Sequence, residues 1–136
     1  MEGYNTVLNL RIDWSEMDLF GHVNNVAFFK YIQAARVNYW ELVGLTKLHK
    51  EENIGLMLAS SKCDFKKPLF YPGNLSIVSK IAFIKTTSFS LHHLILNDKG
   101  DVCAEAEDVM VLFDFTKHEK VPFPINILHS IDKREK

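Results

Sequence analysis

One run of residues, Asn25 to Gly44, carries no proline and no internal glycine, and its composition is that of a helix buried on most sides. On a wheel of about 100° per residue, Lys30, Gln33, Asn38 and Glu41 share one arc. The rest of the circumference is apolar, from Val26, Ala27, Phe28 and Phe29 through Tyr31, Ile32, Ala34 and Ala35 to Tyr39, Trp40, Leu42 and Val43. Arg36 is the exception, lying off the polar arc. Asn24 and Asn25 suit the N-cap, because a short side-chain acceptor can take an unpaired N–H. Gly44 suits the left-handed position after the last turn. At about 1.5 Å per residue the helix spans roughly 30 Å, the width of a small domain. Such a helix needs something wrapped around it.

The stretch just before it, Asp13-Trp-Ser-Glu-Met-Asp-Leu-Phe-Gly-His-Val-Asn-Asn25, gathers acids, a histidine, a glycine and two asparagines. A helix start offers unpaired backbone N–H groups and the positive end of a dipole. Polar residues packed there mark a candidate site.

The remaining elements follow from alternation and turn chemistry. Thr6 to Asp13 reads as a strand, as do Ile54 to Phe65, Leu75 to Ile84, Ser88 to Leu96 and Val102 to Phe115. In the last, Val102, Ala104 and Ala106 share one parity and Val109, Val111 and Phe113 the other, which predicts a bulge and a change of face near Asp108. Thr46 to Asn53 is polar and aperiodic, and reads as loop or irregular helix. Pro68 and Tyr71-Pro72-Gly73-Asn74 are strong turn signals, and Asn97-Asp98-Lys99-Gly100 predicts a hairpin turn. Ile125 to Lys133 suits a short terminal helix. A strand, a long helix and four further antiparallel strands make an α+β layer arrangement. The economical solution is a curved sheet of about five strands wrapped around the central helix.

The 136 residues correspond to one domain, residues 1–136. A net charge of −1 without single-sign runs argues against a nucleic-acid surface. No apolar run approaches the roughly 20 residues that span a bilayer. The first residues lack the basic start and apolar core of a signal peptide, so the expected compartment is the cytoplasm. Cys63 and Cys103 match no metal spacing and are expected to be reduced. His92 and His93 are neighbours on a strand, point to opposite faces and cannot chelate one ion. No metal site is expected.

The run from Arg11 to Tyr39 resembles the hotdog-fold acyl-CoA thioesterases, in particular the 4-hydroxybenzoyl-CoA thioesterase-like group. The matching residues are Glu16, Asp18, Gly21, His22-Val23-Asn24-Asn25, Phe29 or Tyr31, and Arg36. Phe65, Pro68, Tyr71-Pro-Gly-Asn-Leu75 and Val121-Pro-Phe-Pro-Ile125 extend the similarity over nearly the whole chain. The resemblance implies a hotdog fold and hydrolysis of an acyl-CoA thioester, with coenzyme A entering as substrate and leaving as product, so no cofactor is called for. It also implies a homodimer, or a tetramer of paired dimers, with sites at the subunit interface. Asp18 holds the place of the family's nucleophile or general base. The carbonyl donor, a backbone N–H seven residues further on, falls on Asn25. Some relatives carry histidine there; an asparagine side chain cannot shuttle a proton.

Around this pair, Glu16 is a candidate to hold the loop or support Asp18, and His22 to contact substrate or water. Ser60 or Ser61 is a candidate to orient water. Gly21, Val23, Asn24 and Phe28 are candidate substrate contacts, with Leu56 to Ala59 of a partner subunit adding to the acyl pocket. Lys62, Lys66 and Lys67 could meet the coenzyme A phosphates. Arg36 reads as an ion-paired or interface residue. Acyl carrier protein as the acyl carrier, and a non-catalytic acyl-binding protein, stand as alternatives. A hydroxyacyl dehydratase ranks below both, since Gly21-His22-Val23-Asn24-Asn25 lacks the proline of that turn.

Overall fold

The computed structural model describes residues 1–136. Strand β1 (Thr6–Arg11) leads through a short 3₁₀ turn, Trp14–Glu16, and a loop into helix α1 (Asn25–Leu42). Helix α2 (Leu45–Glu52) follows. The chain then runs through β2 (Ile54–Phe65), β3 (Asn74–Ile84), β4 (Ser88–Leu96), β5 (Val102–Asp114) and a two-residue β6 (Glu119–Lys120) to helix α3 (Ile125–Glu135). One antiparallel sheet in the order β1-β3-β4-β5-β2, with β6 paired to β5, curls around α1. The α+β arrangement expected from the sequence is therefore present, with a short sixth strand added.

Helix α1 starts where its capping chemistry places it. The Asn24 side chain accepts a hydrogen bond from the Ala27 N–H at 2.8 Å. Gly44 takes φ = 91°, the left-handed position after the helix. The first half of α1 buries Ala27, Phe28, Tyr31, Ile32 and Ala35 against Leu75, Ile77, Ile95, Ala104 and Ala106. The second half buries Tyr39 and Val43 against Phe89, Leu91, Met110, Leu112 and the α3 residues Ile127 and Ile131.

A polar layer lies between these two clusters. Arg36 donates to Asp108 Oδ2 at 3.0 Å, His93 Nε2 lies 3.1 Å from the same oxygen, and the Ser61 hydroxyl donates to Oδ1 at 2.6 Å. Ser79 Oγ lies 2.7 Å from His93 Nδ1. Arg36 is thus ion-paired, and its place off the polar arc of the helix has a cause: it faces the sheet. His92 turns to the other face, toward Tyr4 and Glu105.

Four expectations are corrected. Strand β5 does not change face: Ala104, Ala106, Asp108, Met110, Leu112 and Asp114 alternate inward without a break. Asp108 belongs to the inner row because Arg36 and His93 satisfy it there, and the register slips instead in β2, between Leu58 and Ser60. In β4, whose partial alternation in the sequence reads Phe89, Leu91, then Leu94 and Leu96, the inner row runs Phe89, Leu91, His93, Ile95. Thr46 to Asn53 is a regular helix, α2. It buries Leu45 and Leu48 three residues apart, and Asn53 ends it at φ = 56°. Helix α1 is not buried on most sides: Val26, Phe29, Val37 and Leu42 are exposed, because the sheet covers one side only.

Candidate active site

The segment between β1 and α1 is locked before it reaches Asp18. The Glu16 side chain accepts from the Asp13 N–H at 2.8 Å, the Tyr31 hydroxyl at 2.7 Å and Lys30 Nζ at 3.1 Å. Its backbone carbonyl accepts from both the N–H and the side-chain amide of Asn24. Glu16 therefore ties the 3₁₀ turn, the helix cap and α1 together, and it is buried rather than solvent-exposed. Burial works to raise its pKa, but the Tyr31, Asp13 and Lys30 contacts prevail and hold the carboxyl below its usual value.

Asp18 then opens a tight turn. Its N–H donates to the His22 carbonyl at 2.7 Å, Met17 bridges Val23, and Gly21 sits at φ = 84°. The Asp18 carboxylate accepts from the backbone N–H groups of Phe20 at 2.8 Å and His22 at 3.0 Å. The N–H of His22 foremost, with that of Phe20, outweighs the opposing desolvation and lowers the Asp18 pKa. The group is solvent-exposed and ionised at neutral pH. The His22 ring stands edge-on to Phe70, with centroids 5.2 Å apart.

Asp18, His22, Val23, Asn25 and Phe28 line one groove of about 400 Å³ with Phe65, Lys66, Lys67 and Pro68. Asn25 begins α1, and its backbone N–H has no partner within the chain. A carboxylate and a free N–H at the positive end of a helix thus share one groove. Phe28 and Phe65, 5.2 Å apart and edge-to-face, form its apolar wall. Both elements of acyl-transfer chemistry are available: a group to attack or to activate water, and a donor for a developing oxyanion.

Of the other candidates, Lys66 and Lys67 line this groove and the rest fall outside it. Glu16 lies behind it as a tether. Gly21 and Asn24 shape the turn and the cap. Ser61 is bonded to Asp108, and Ser60 and Lys62 lie along β2, away from the groove lining. Lys66 lies 3.8 Å from Glu105, and Lys67 3.8 Å from Asp101. Phe65 and Pro68 are lining residues that the sequence does not single out as such. The turn signal at Pro68 is plain, but nothing local tells that this turn returns to Asp18.

The thioesterase-like superfamily matches residues 12–131, nearly the full length of the chain. The chain belongs to that superfamily. Thioester hydrolysis is the enzyme class that goes with it. Among relatives, the uncharacterized protein YsmA of Bacillus subtilis (strain 168) is 31% identical over 100 residues, covering 74% of this chain and 67% of that one. Solved structures with the same fold include a thioesterase from Thermus thermophilus complexed with coenzyme A and zinc. It has a TM-score of 0.86 at 22% identity, over 99% of this chain and 97% of that one. A 1,4-dihydroxy-2-naphthoyl-CoA thioesterase from Synechocystis follows at TM-score 0.81 and 17% identity, over 93% and 94% of the two chains. This superfamily member has the hotdog fold of those structures. No helix in it is long and apolar enough to cross a membrane.

Proposed function

We propose that the chain hydrolyses an acyl-CoA thioester to the free acid and coenzyme A. The observation that carries this is the shared groove, which Asp18 and Asn25, whose N–H is unpaired, line together with an apolar wall. The thioester carbonyl accepts from Asn25. Asp18 either attacks the carbonyl carbon itself or takes a proton from the water that does. The carbon–sulfur bond breaks and the thiolate leaves and is protonated; where Asp18 has attacked, water then cleaves the acyl–Asp18 anhydride, which frees the acid and restores the carboxylate. Removing one such oxyanion donor lowers a rate by about 10²–10³. The coenzyme A named in the two solved relatives supports that carrier.

The working unit is proposed to be a homodimer, alone or paired into a tetramer. β2 is an edge strand of 12 residues with Met57 and Leu58 exposed, and Val26 and Phe29 of α1 are exposed as well. A long apolar edge is a site for pairing with another strand. A second copy meeting this edge antiparallel would carry its own Leu56 to Ala59 toward the first copy's site. The free Cys63 and Cys103 support a reducing compartment such as the cytoplasm.

The test is thiol release from short, long and aromatic acyl-CoAs by the wild type and by Asp18→Asn, with folding of the variant checked by circular dichroism. Turnover that nearly vanishes in the variant supports the mechanism. Turnover that survives Asp18→Asn overturns Asp18 as the catalytic group. Binding of acyl-CoA without turnover overturns hydrolysis and favours an acyl-binding protein. Turnover of acyl carrier protein thioesters alone overturns the carrier.

A further inference from the structure

The Asp18 groove is the first of three adjoining recesses. It shares Lys67 and Pro68 with a second recess of about 310 Å³. That recess shares Ile12, Pro72, Gly73 and Asn74 with a third, of about 560 Å³, which also takes in Arg11, Trp14 and Tyr71. Each volume is within the range of small-molecule sites. Gly73 is common to the second and third. A Cβ there would stand 3.0 Å from the Phe70 carbonyl oxygen and 3.9 Å from Asp98 Oδ2. The floor is anchored, since the Ile12 N–H donates to the Gly73 carbonyl at 2.9 Å and Arg11 pairs with Asn74 across β1 and β3.

Charge and surface change along this trough. The middle holds Lys67 and Lys99 against Asp98 and Asp101, a balanced set, with Asn97 alongside. At the far end Trp14 is 73% exposed and Tyr71 is 45% exposed. Arg11 is exposed and belongs to none of the chain's ion pairs. The one acid there, Asp13, has its carboxylate engaged by the N–H and hydroxyl of Ser15. An exposed indole beside an unpaired guanidinium suits a ligand with a flat base and phosphates.

Resting on the thioesterase reading above, we propose that this trough is the carrier site. The nucleotide head of coenzyme A lies in the Arg11–Trp14–Tyr71 recess, the pantetheine arm crosses the balanced middle past Gly73, and the thioester reaches Asp18. Arg11 pairs with a phosphate, and the base stacks on Trp14 or Tyr71. The middle is neutral where the ligand is neutral, and the free cation stands where the ligand is charged. This moves the phosphates away from Lys66 and Lys67, which have carboxylate partners, and makes the recess selective for a nucleotide-bearing carrier.

The test compares one acyl group carried on coenzyme A and on pantetheine, with wild type, Arg11→Gln, Trp14→Ala and Trp14→Phe. Both positions are exposed, and equal Tm values will show that folding is intact. The expected result is a KM for acyl-CoA raised about tenfold in Arg11→Gln, the loss of one charge-assisted contact, and in Trp14→Ala, the loss of one stacking contact. Trp14→Phe should restore most of it, and the differences should vanish with the pantetheine substrate. An unchanged KM, or an equal rise with both carriers, overturns the proposal. Titration with adenosine 3′,5′-diphosphate, followed by tryptophan emission, reads the recess without turnover. Binding weakened in Arg11→Gln supports the site even if no thioester is hydrolysed, in which case only the catalytic reading falls. Absence of binding to the wild type overturns the site.

Discussion

The Tyr31 hydroxyl donates to the buried Glu16 carboxylate across 2.7 Å, joining the centre of α1 to the loop that presents Asp18. Glu16 also holds the Asp13 N–H and, through its carbonyl, the Asn24 cap. The two ends of the proposed active site, Asp18 and the Asn25 N–H, are therefore referenced to one buried acid. Tyr31→Phe removes a single donor without a large cavity. Its expected effect is a loss of about 1.5–3 kcal/mol in urea unfolding, with a fall in kcat and little change in KM. A KM change without a kcat change would sink the positioning role.

The pH profile follows from Asp18. Its carboxyl lies below the ordinary aspartate range because the N–H groups of His22 and Phe20 stabilise the anion. The ionised form is the one that attacks or takes a proton. Activity should thus be lost only as pH falls through that lowered value, below the ordinary aspartate pKa of about 3.9. From about pH 5 upward, Asp18 should place no acid limb on kcat/KM. Turnover that survives Asp18→Asn and is lost in His22→Gln would transfer the proton chemistry to His22.

Stability should respond to the buried Arg36–Asp108 pair. Removing one partner of such a pair leaves the other charge buried, at about 3–5 kcal/mol. Arg36→Ala is expected to reach that range in urea unfolding. Burial alone would raise the Asp108 pKa, but His93, Ser61 and Arg36 keep it lowered. A depressed folded pKa gives stability that is present above the unfolded aspartate value and lost as pH falls through the folded one. The wild type should accordingly lose Tm in acid below about pH 4 more steeply than Asp108→Asn, measured side by side.

The exposed edge of β2 offers the fourth check. Leu58→Lys places a charge on that edge at no cost to the monomer core, since Leu58 is exposed. Light scattering on the eluted protein should show a shift from dimer or tetramer to monomer, with turnover falling in parallel. A variant that stays oligomeric moves the interface elsewhere.

Features that depend on near neighbours are readable from the sequence. The α1 boundaries come from the Asn24 cap and Gly44, the 97–100 turn from its own residues, and the β2 and β4 bounds from turn chemistry and alternation. The Asp18 loop is legible for the same reason: its carboxylate is held by N–H groups two and four residues on, and its partner N–H opens the next helix. Asp108 misleads because its character is set 72 residues away by Arg36. By itself an acid among valines looks like a change of face, and only the guanidinium and imidazole above it make an inward acid stable. Glu16 looks like a loop acid until Tyr31 is placed over it. The wall of the groove, Phe65 to Pro68, and the adjoining recesses that take in Gly73, Arg11 and Trp14 join segments far apart in the chain. Caps, turns and periodicity are local energies and are written in consecutive residues. Which side chain faces which across the core depends on sheet register and chain return, and these are settled only when the whole chain packs.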